Sequence, residues 1–191
     1  MRQTFRTFAA VELPVPLQDR VRQHIHQLRT AVPESNASWT KAENIHLTLK
    51  FFGNVEQVKI KQISEAASRT IRNFRPFEIL ITGTGAFPKP AQPRVLWIGI
   101  EDPSGQLSKL QSRFQEECSV EGFEKEGRAF RPHLTIARIR KPEGARRLAE
   151  VNQESGFESM KIAANELVVF RSELSSQGSK YTVLCRHQLS A

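Results

Sequence analysis

Two histidines of this chain occur in the same short pattern. His46-Leu47-Thr48-Leu49 returns as His133-Leu134-Thr135-Ile136, in a chain of 191 residues that has 5 histidines in all. Imidazole titrates close to neutral pH, so one ring can be neutral while the other is protonated. Phosphodiester cleavage needs a base for the attacking oxygen, an acid for the leaving oxygen and donors for the non-bridging oxygens. The repeated unit therefore predicts proton transfer at a phosphate, with the histidines as acid and base and the threonine hydroxyls as donors.

Strand alternation predicts where these side chains point, because successive side chains of a strand face opposite sides of the sheet. The first motif strand, 44–53, has one apolar face, made of Ile45, Leu47, Leu49 and Phe51. The second, 130–139, has one made of Phe130, Pro132, Leu134 and Ile136. Both His-x-Thr pairs lie on the opposite, polar faces. The two polar faces can meet across a cleft if the halves are related by an approximate two-fold axis.

Two cations beside the motifs are further candidates for contacting a phosphate. Lys50 shares the predicted face of His46, although its counterpart in the second motif is Ala137. Arg138 falls on the apolar face by strict alternation, so it reaches the cleft only if the strand bends or bulges. Both residues could equally be solvated charges.

An ordinary explanation exists for each motif alone. A single histidine on a polar strand face is usually a surface residue, and threonine is a good strand former. Two copies in matching positions favour function, because strand propensity explains the Leu, Thr and Ile but not the repeated His. The other three histidines, His24, His26 and His187, are interpreted as solvent-facing.

The motif strands belong to an order of elements that repeats. The first half is predicted as strand 5–13, a helix with apolar positions from 17 to 32, strand 45–52, a helix from a capping box at Asn54 and Gln57 to about 74, and strand 77–81. After a loop rich in Gly and Pro at 83–93, the second half is predicted as strand 94–100, a helix from about 104, strand 130–139, helix 142–154 and strand 160–170. A turn at 174–179 leads to an extra strand at 181–189.

This order predicts an α/β (α+β) fold of one bilobal domain over residues 1–191, made by internal duplication of a βαβαβ unit. Two coincidentally similar halves are the alternative.

Composition limits the class of protein. The chain has 28 Lys and Arg against 20 Asp and Glu, a net charge of +8, which favours polyanionic partners or reflects a basic soluble surface. The second half is locally basic and could guide RNA by phosphate contacts or form a solvated face, through Arg128, Arg131, Arg140, Arg146 and Arg147.

Cys118 and Cys185 are too far apart for a disulfide framework or a zinc site, so buried thiols are expected. No metal-ligand spacing lies beside either motif, which predicts a mechanism without metal or cofactor. The absence of a long apolar run predicts a cytoplasmic protein that does not enter a membrane. A monomer is expected.

The chain resembles the 2H phosphoesterases and, within them, the RNA 2′,3′-cyclic phosphodiesterases, also called 2′-5′ RNA ligase-like proteins. The resemblance is carried by residues 8–14, 39–53 and 130–138 and by the tail from 171 to 181. It implies two antiparallel sheets that form a central cleft, with the helices outside, and hydrolysis of a 2′,3′-cyclic phosphate of RNA or a nucleotide to a 2′-phosphate. It also implies that His46 is the proton donor, that His133 is the acceptor that activates water, and that Thr48 and Thr135 bind phosphate oxygens.

Two other functions remain open from the sequence. A ligase that joins cyclic-phosphate and 5′-hydroxyl RNA ends by 2′-5′ linkages would use the same two proton carriers in the reverse direction. A module that binds RNA ends without turnover would need neither histidine to transfer a proton.

Overall fold

The computed structural model describes residues 3–175 and 178–190. Within these ranges there are nine strands: β1 Thr4–Val11, β2 Ala37–Trp39, β3 Leu47–Glu56, β4 Phe77–Phe87, β5 Val95–Glu101, β6 His133–Ile139, β7 Met160–Ala164, β8 Glu166–Ser175 and β9 Gly178–Gln188. The α-helices in the same ranges are α1 Val15–Ala31, α2 Ile60–Ile71, α3 Gln106–Val120 and α4 Ala145–Ser155. None of these helices is both long and apolar enough to cross a membrane.

The strands form two antiparallel sheets. The first has the order β3-β1-β8-β9 and the second has the order β2-β6-β5-β4-β7. A mixed fold with two antiparallel sheets, which the sequence predicts, is confirmed. Each sheet combines strands from both halves of the chain, because β8 and β9 join β1 and β3 while β4 joins β5, β6 and β7. The lobes therefore do not coincide with the sequence halves, and the internal duplication stays a prediction.

The main hydrophobic core lies on the side of both sheets where the helices pack. Leu17, Val21 and Leu28 of α1 have no exposed surface and meet Ala9 and Val11 of β1 in this core. Helix α1 begins where Pro14 and Pro16 favour a first turn, and its apolar residues recur at helical spacing. Burying one such aliphatic side chain contributes about 1.5–3 kcal/mol. The core therefore fixes one face of each sheet and leaves the other face available for a cleft.

Three sequence predictions of local structure are wrong, because pairing with distant strands, which the local sequence does not show, sets where these strands begin and end. Asn54 does not cap a helix: it pairs with Arg6 inside β3, and α2 begins only at Ile60. The predicted loop 83–93 is shorter, since β4 continues to Phe87 in register with β5. The predicted strand 160–170 is two strands, β7 and β8, which belong to different sheets.

Two further differences concern short segments. The strand β2 was not predicted, because three residues carry no periodic signal; it pairs with β6. The predicted turn 174–179 includes residues 176 and 177, which lie outside the described residues.

Candidate active site

Both His-x-Thr motifs line one cleft between the two sheets. Its volume is about 750 Å³. His46 and Thr48 approach it from the first sheet, at the start of β3, and His133 and Thr135 approach it from β6 of the second sheet. The structure thus places the four predicted side chains around a common space.

Each motif strand carries a β-bulge directly after its threonine. In β3 the register with β1 shifts so that Leu49 is the extra residue, and in β6 the register with β5 shifts so that Ile136 is the extra residue. A bulge places two successive residues on one side of a strand and reverses the alternation beyond it. The same irregularity at the same position in both motifs reverses which side chains face the cleft.

The first bulge removes Lys50 from the cleft, so the prediction that Lys50 shares the face of His46 is wrong. Lys50 is only 5% exposed, and its Nζ donates to Gln115 Oε1 and to the backbone oxygen of Glu124, both at 2.5 Å. Burial lowers the pKa of this ammonium group. Phe51, which alternation assigned to the apolar face, instead lines the cleft and is 56% exposed.

The second bulge has the opposite consequence for its cation. It buries Ala137 completely and turns Arg138 into the cleft beside His133. The sequence allowed Arg138 to reach the cleft only if its strand bends or bulges, and this bulge meets that condition. Arg138 and Phe51 occupy equivalent positions, three residues after the threonine of each motif.

Both imidazole rings are held in the same way. Nδ1 of His46 lies 2.8 Å from the backbone oxygen of Asn44, and Nδ1 of His133 lies 2.7 Å from the backbone oxygen of Arg131. A carbonyl oxygen only accepts, so the proton of a neutral ring is assigned to Nδ1 in both cases. Nε2 is therefore the atom that can take or give a proton in the cleft.

Aromatic rings enclose His46. Phe8 stacks on it with ring centroids 4.4 Å apart, and Tyr181 meets it edge-on at 5.3 Å. Burial lowers the pKa of His46 to about 4, against the opposing effect of the bond to Asn44. With this pKa the ring is neutral at neutral pH.

His133 has a less enclosed and more cationic environment. Phe87 meets its ring edge-on at 5.0 Å. Burial lowers the pKa of His133, the bond to the Arg131 carbonyl opposes this, and the charge of Arg138 lowers it further. The two histidines therefore differ in surroundings although their motifs match.

The cleft carries unbalanced positive charge. Four cations line it, namely Arg6, Lys41, Arg138 and Arg140, and among the described residues that line it none is a carboxylate. Uncompensated cations in a concave site raise the local concentration of anions. The cleft is thus suited to a phosphate-bearing ligand.

Several residues singled out in the sequence lie elsewhere or are neutralised. Arg128 pairs with Glu126, and Arg146 and Arg147 both pair with Glu150, so these three do not form a free basic track. Of that group Arg140 lines the cleft, and Arg131 holds His133 through its backbone.

The prediction that three histidines are solvent-facing is wrong for His24. That ring is 5% exposed and its Nε2 lies 2.9 Å from Asn152 Oδ1. His187 is half-buried, with Nε2 3.2 Å from Ser64 Oγ, and His26 is exposed. Neither Cys118, which is buried, nor Cys185, which is half-buried, forms a disulfide.

Sequence reasoning did not find the aromatic residues around the histidines. Phe8 is followed by two buried alanines in β1, and Tyr181 lies near the end of the chain, so neither has a spacing signal relative to His46. Both occur in segments that carried the family resemblance, which was the available clue.

Comparison with known proteins agrees with this geometry. A family model described as the 2′-5′ RNA ligase superfamily matches residues 16–174. The chain is 37% identical over 178 residues to the RNA 2′,3′-cyclic phosphodiesterase of Methanothermobacter thermautotrophicus, covering 93% of this chain and 95% of that one. It is 33% identical to the protein of the same name from Thermotoga maritima, covering 94% and 92%. The crystal structure of Escherichia coli LigT complexed with 3′-AMP superposes with a TM-score of 0.75 at 25% identity, covering 99% and 100%.

The extent of these matches, over most of each chain, defines the class of protein. The chain belongs to the 2′-5′ RNA ligase superfamily, as the resemblance in the sequence implied.

Proposed function

We propose that this protein hydrolyses 2′,3′-cyclic phosphodiesters at RNA ends or on nucleotides to 2′-phosphates, by acid and base catalysis from two histidines. The observation that supports this most is the cleft in which both imidazoles present Nε2 beside two threonine hydroxyls and four cations that form no ion pair with another described residue. The names of the relatives, RNA 2′,3′-cyclic phosphodiesterase, agree with this chemistry.

In the proposed reaction His133 is the base and His46 is the acid. Nε2 of His133 takes a proton from water as the water oxygen bonds to phosphorus. The bond from phosphorus to the 3′ oxygen then breaks, and Nε2–H of His46 gives its proton to that oxygen. The products are a 2′-phosphate and a 3′-hydroxyl. His133 ends with one extra proton and His46 with one fewer, and exchange with solvent restores both.

The bound cyclic phosphate favours the protonated form of His46, which an acid requires. An anion next to an imidazole favours the charged form and raises its pKa. A ring that burial keeps neutral thereby becomes protonated when the anionic substrate binds. The enclosing rings of Phe8 and Tyr181 exclude water from His46, which strengthens its interaction with the phosphate.

The remaining cleft residues bind the phosphate and the nucleoside. Thr48 and Thr135 have no hydrogen bond to another described residue through their hydroxyls, so both can donate to phosphate oxygens. Arg138 adds a fixed positive charge on the side of His133. Phe51 offers an exposed ring at the opposite wall, where a nucleobase can stack.

Incubation with a nucleoside 2′,3′-cyclic phosphate in excess EDTA tests the function. We expect complete conversion to the 2′-phosphate, identified by phosphorus NMR, with a rate that added divalent metal does not change. Binding without product would instead indicate a module that holds RNA ends. Joined products from RNA with 5′-hydroxyl ends, in place of hydrolysis, would indicate a ligase.

The pH dependence of the rate follows from the two lowered pKa values. The profile of kcat/KM reports the free enzyme, in which burial holds His46 near a pKa of about 4 and keeps His133 below 6.5. The reaction needs one ring neutral and the other protonated, so the rate falls at lower pH, where both rings are protonated, and at higher pH, where both are neutral. We therefore expect a bell-shaped curve with its maximum between about pH 4 and 6.5.

The pH profile of kcat gives a second test of the lowered pKa values. Bound substrate raises both pKa values, so the maximum of kcat should lie at higher pH than the maximum of kcat/KM. The limbs belong to the pair and are not assigned to one ring. A kcat/KM maximum above pH 7 would contradict the proposed environment of the histidines.

A further inference from the structure

Asn44 connects His46 to a distant part of the chain. Its backbone oxygen accepts from Nδ1 of His46 at 2.8 Å, and its side-chain Nδ2 donates to the backbone oxygen of Ser179 at 2.7 Å. Ser179 is the second residue of β9, 135 positions further along the chain. One residue thus binds the imidazole with its main chain and the β8–β9 hairpin with its side chain.

The hairpin that Asn44 holds forms a wall of the cleft. Leu174 of β8 and Gly178, Ser179 and Tyr181 of β9 line it. Since β9 is the edge strand of its sheet, no other strand of the described residues pairs with its outer side. Tyr181, two residues after Ser179, is the ring that meets His46 edge-on. The bond between Asn44 and Ser179 therefore anchors the hairpin close to the point where Tyr181 covers His46.

The second motif lacks this arrangement. Arg131 occupies the position equivalent to Asn44, two residues before the histidine, and also accepts from Nδ1 through its backbone. Its side chain is exposed and makes no hydrogen bond or ion pair with the described residues. The link to a cleft wall is thus specific to His46.

We propose that Asn44 is a positioning residue for His46, which orients the imidazole and holds the β8–β9 hairpin over it so that the ring is kept from water. The role rests on the proposed function of His46 as the acid. The donor to Ser179 keeps Tyr181 in contact with the ring, and the backbone oxygen keeps Nε2 directed at the substrate. Loss of the side chain leaves the imidazole present but less enclosed.

Asn44 itself carries no charge. The titratable and charged groups that line the cleft together with His46 are His133, Tyr181, Arg6, Lys41, Arg138 and Arg140. Asn44→Ala changes none of these charges. A change in the titration of His46 in this variant therefore reports exposure to water.

NMR titration of the histidine ring signals in Asn44→Ala tests the proposal. In the wild-type protein, burial holds the pKa of His46 at about 4. In the variant we expect this pKa to rise above about 5, toward the usual 6.5, because hydration favours the charged ring. The pKa of His133 should stay unchanged. We also expect kcat to fall about tenfold, because even a small displacement of a functional group from its reactive position slows the reaction.

Gln18→Ala is the matched control. Gln18 also donates from its side chain to a backbone oxygen, that of Leu13 at 3.0 Å, but does not line the cleft. It should leave both histidine titrations unchanged. If Asn44→Ala does not fold, Asn44→Ser serves, because its hydroxyl is too short to replace the bond to Ser179.

An unchanged His46 titration in a folded Asn44 variant overturns the proposal, even if kcat falls, and so does an equal shift in Gln18→Ala. The titration requires no turnover, so this result is independent of whether the protein hydrolyses cyclic phosphates.

Discussion

Alanine in place of His46 or His133 should lower kcat about 10³-fold, since positioned acids and bases each contribute roughly 10²–10⁴-fold. Each variant removes one of the two proton carriers while the other ring, the threonines and the cations remain. Rates of 2′,3′-cyclic phosphate hydrolysis at saturating substrate measure the effect. The double variant should be little slower than either single one, because the two groups act together in one transition state.

His26→Ala is the control for these variants. His26 is exposed on α1 and takes no part in the cleft, so its loss should leave kcat within about twofold, as for an ordinary surface substitution. Circular dichroism and thermal unfolding establish that the His46 and His133 variants remain folded. A folded His133→Ala protein with wild-type turnover would exclude His133 as the base.

Valine in place of Thr48 or Thr135 should lower kcat about 10²-fold per site. Each substitution removes one donor to the non-bridging phosphate oxygens, and loss of one such donor costs about 10²–10³-fold in other enzymes that stabilise an oxyanion. Valine has nearly the shape of threonine and is an equally good strand former, so β3 and β6 should be retained. The loss should appear in kcat more than in KM, because charge on these oxygens grows in the transition state.

Serine at the same positions restores the hydroxyl and provides the matched control. We expect Thr48→Ser and Thr135→Ser to recover at least about one-tenth of wild-type kcat, since serine is one methyl group smaller but keeps the donor. Equal losses for valine and serine would show that the threonines matter through packing and not through their hydroxyls.

Much of the site could be predicted from local sequence. The repeated His-x-Thr unit identified His46, Thr48, His133 and Thr135, and strand alternation placed each pair on a polar face, as the structure shows. This worked because side-chain direction along a strand depends on position alone as far as the alternation is regular. Both pairs lie before the bulges, where the alternation holds.

Beyond each bulge the same reasoning failed. Lys50 was predicted in the cleft and is buried, while Phe51 was predicted in the core and lies in the cleft. A bulge is set by the register with a neighbouring strand, here β1 for β3 and β5 for β6. The partner strand is distant in sequence, so the motif residues themselves do not carry this information.

The sequence by itself determined which chemical groups the two motifs supply: two imidazoles and two hydroxyls at fixed spacing on strands, with a basic composition suited to phosphate. The tertiary structure decided which sheets those strands join, that Arg138 and not Lys50 accompanies the histidines, and that Asn44 and Tyr181 reach His46. Residue type and alternation are local properties of the chain. Burial, register and the approach of β9 to residue 46 depend on contacts across more than a hundred positions, which exist only once the chain has folded.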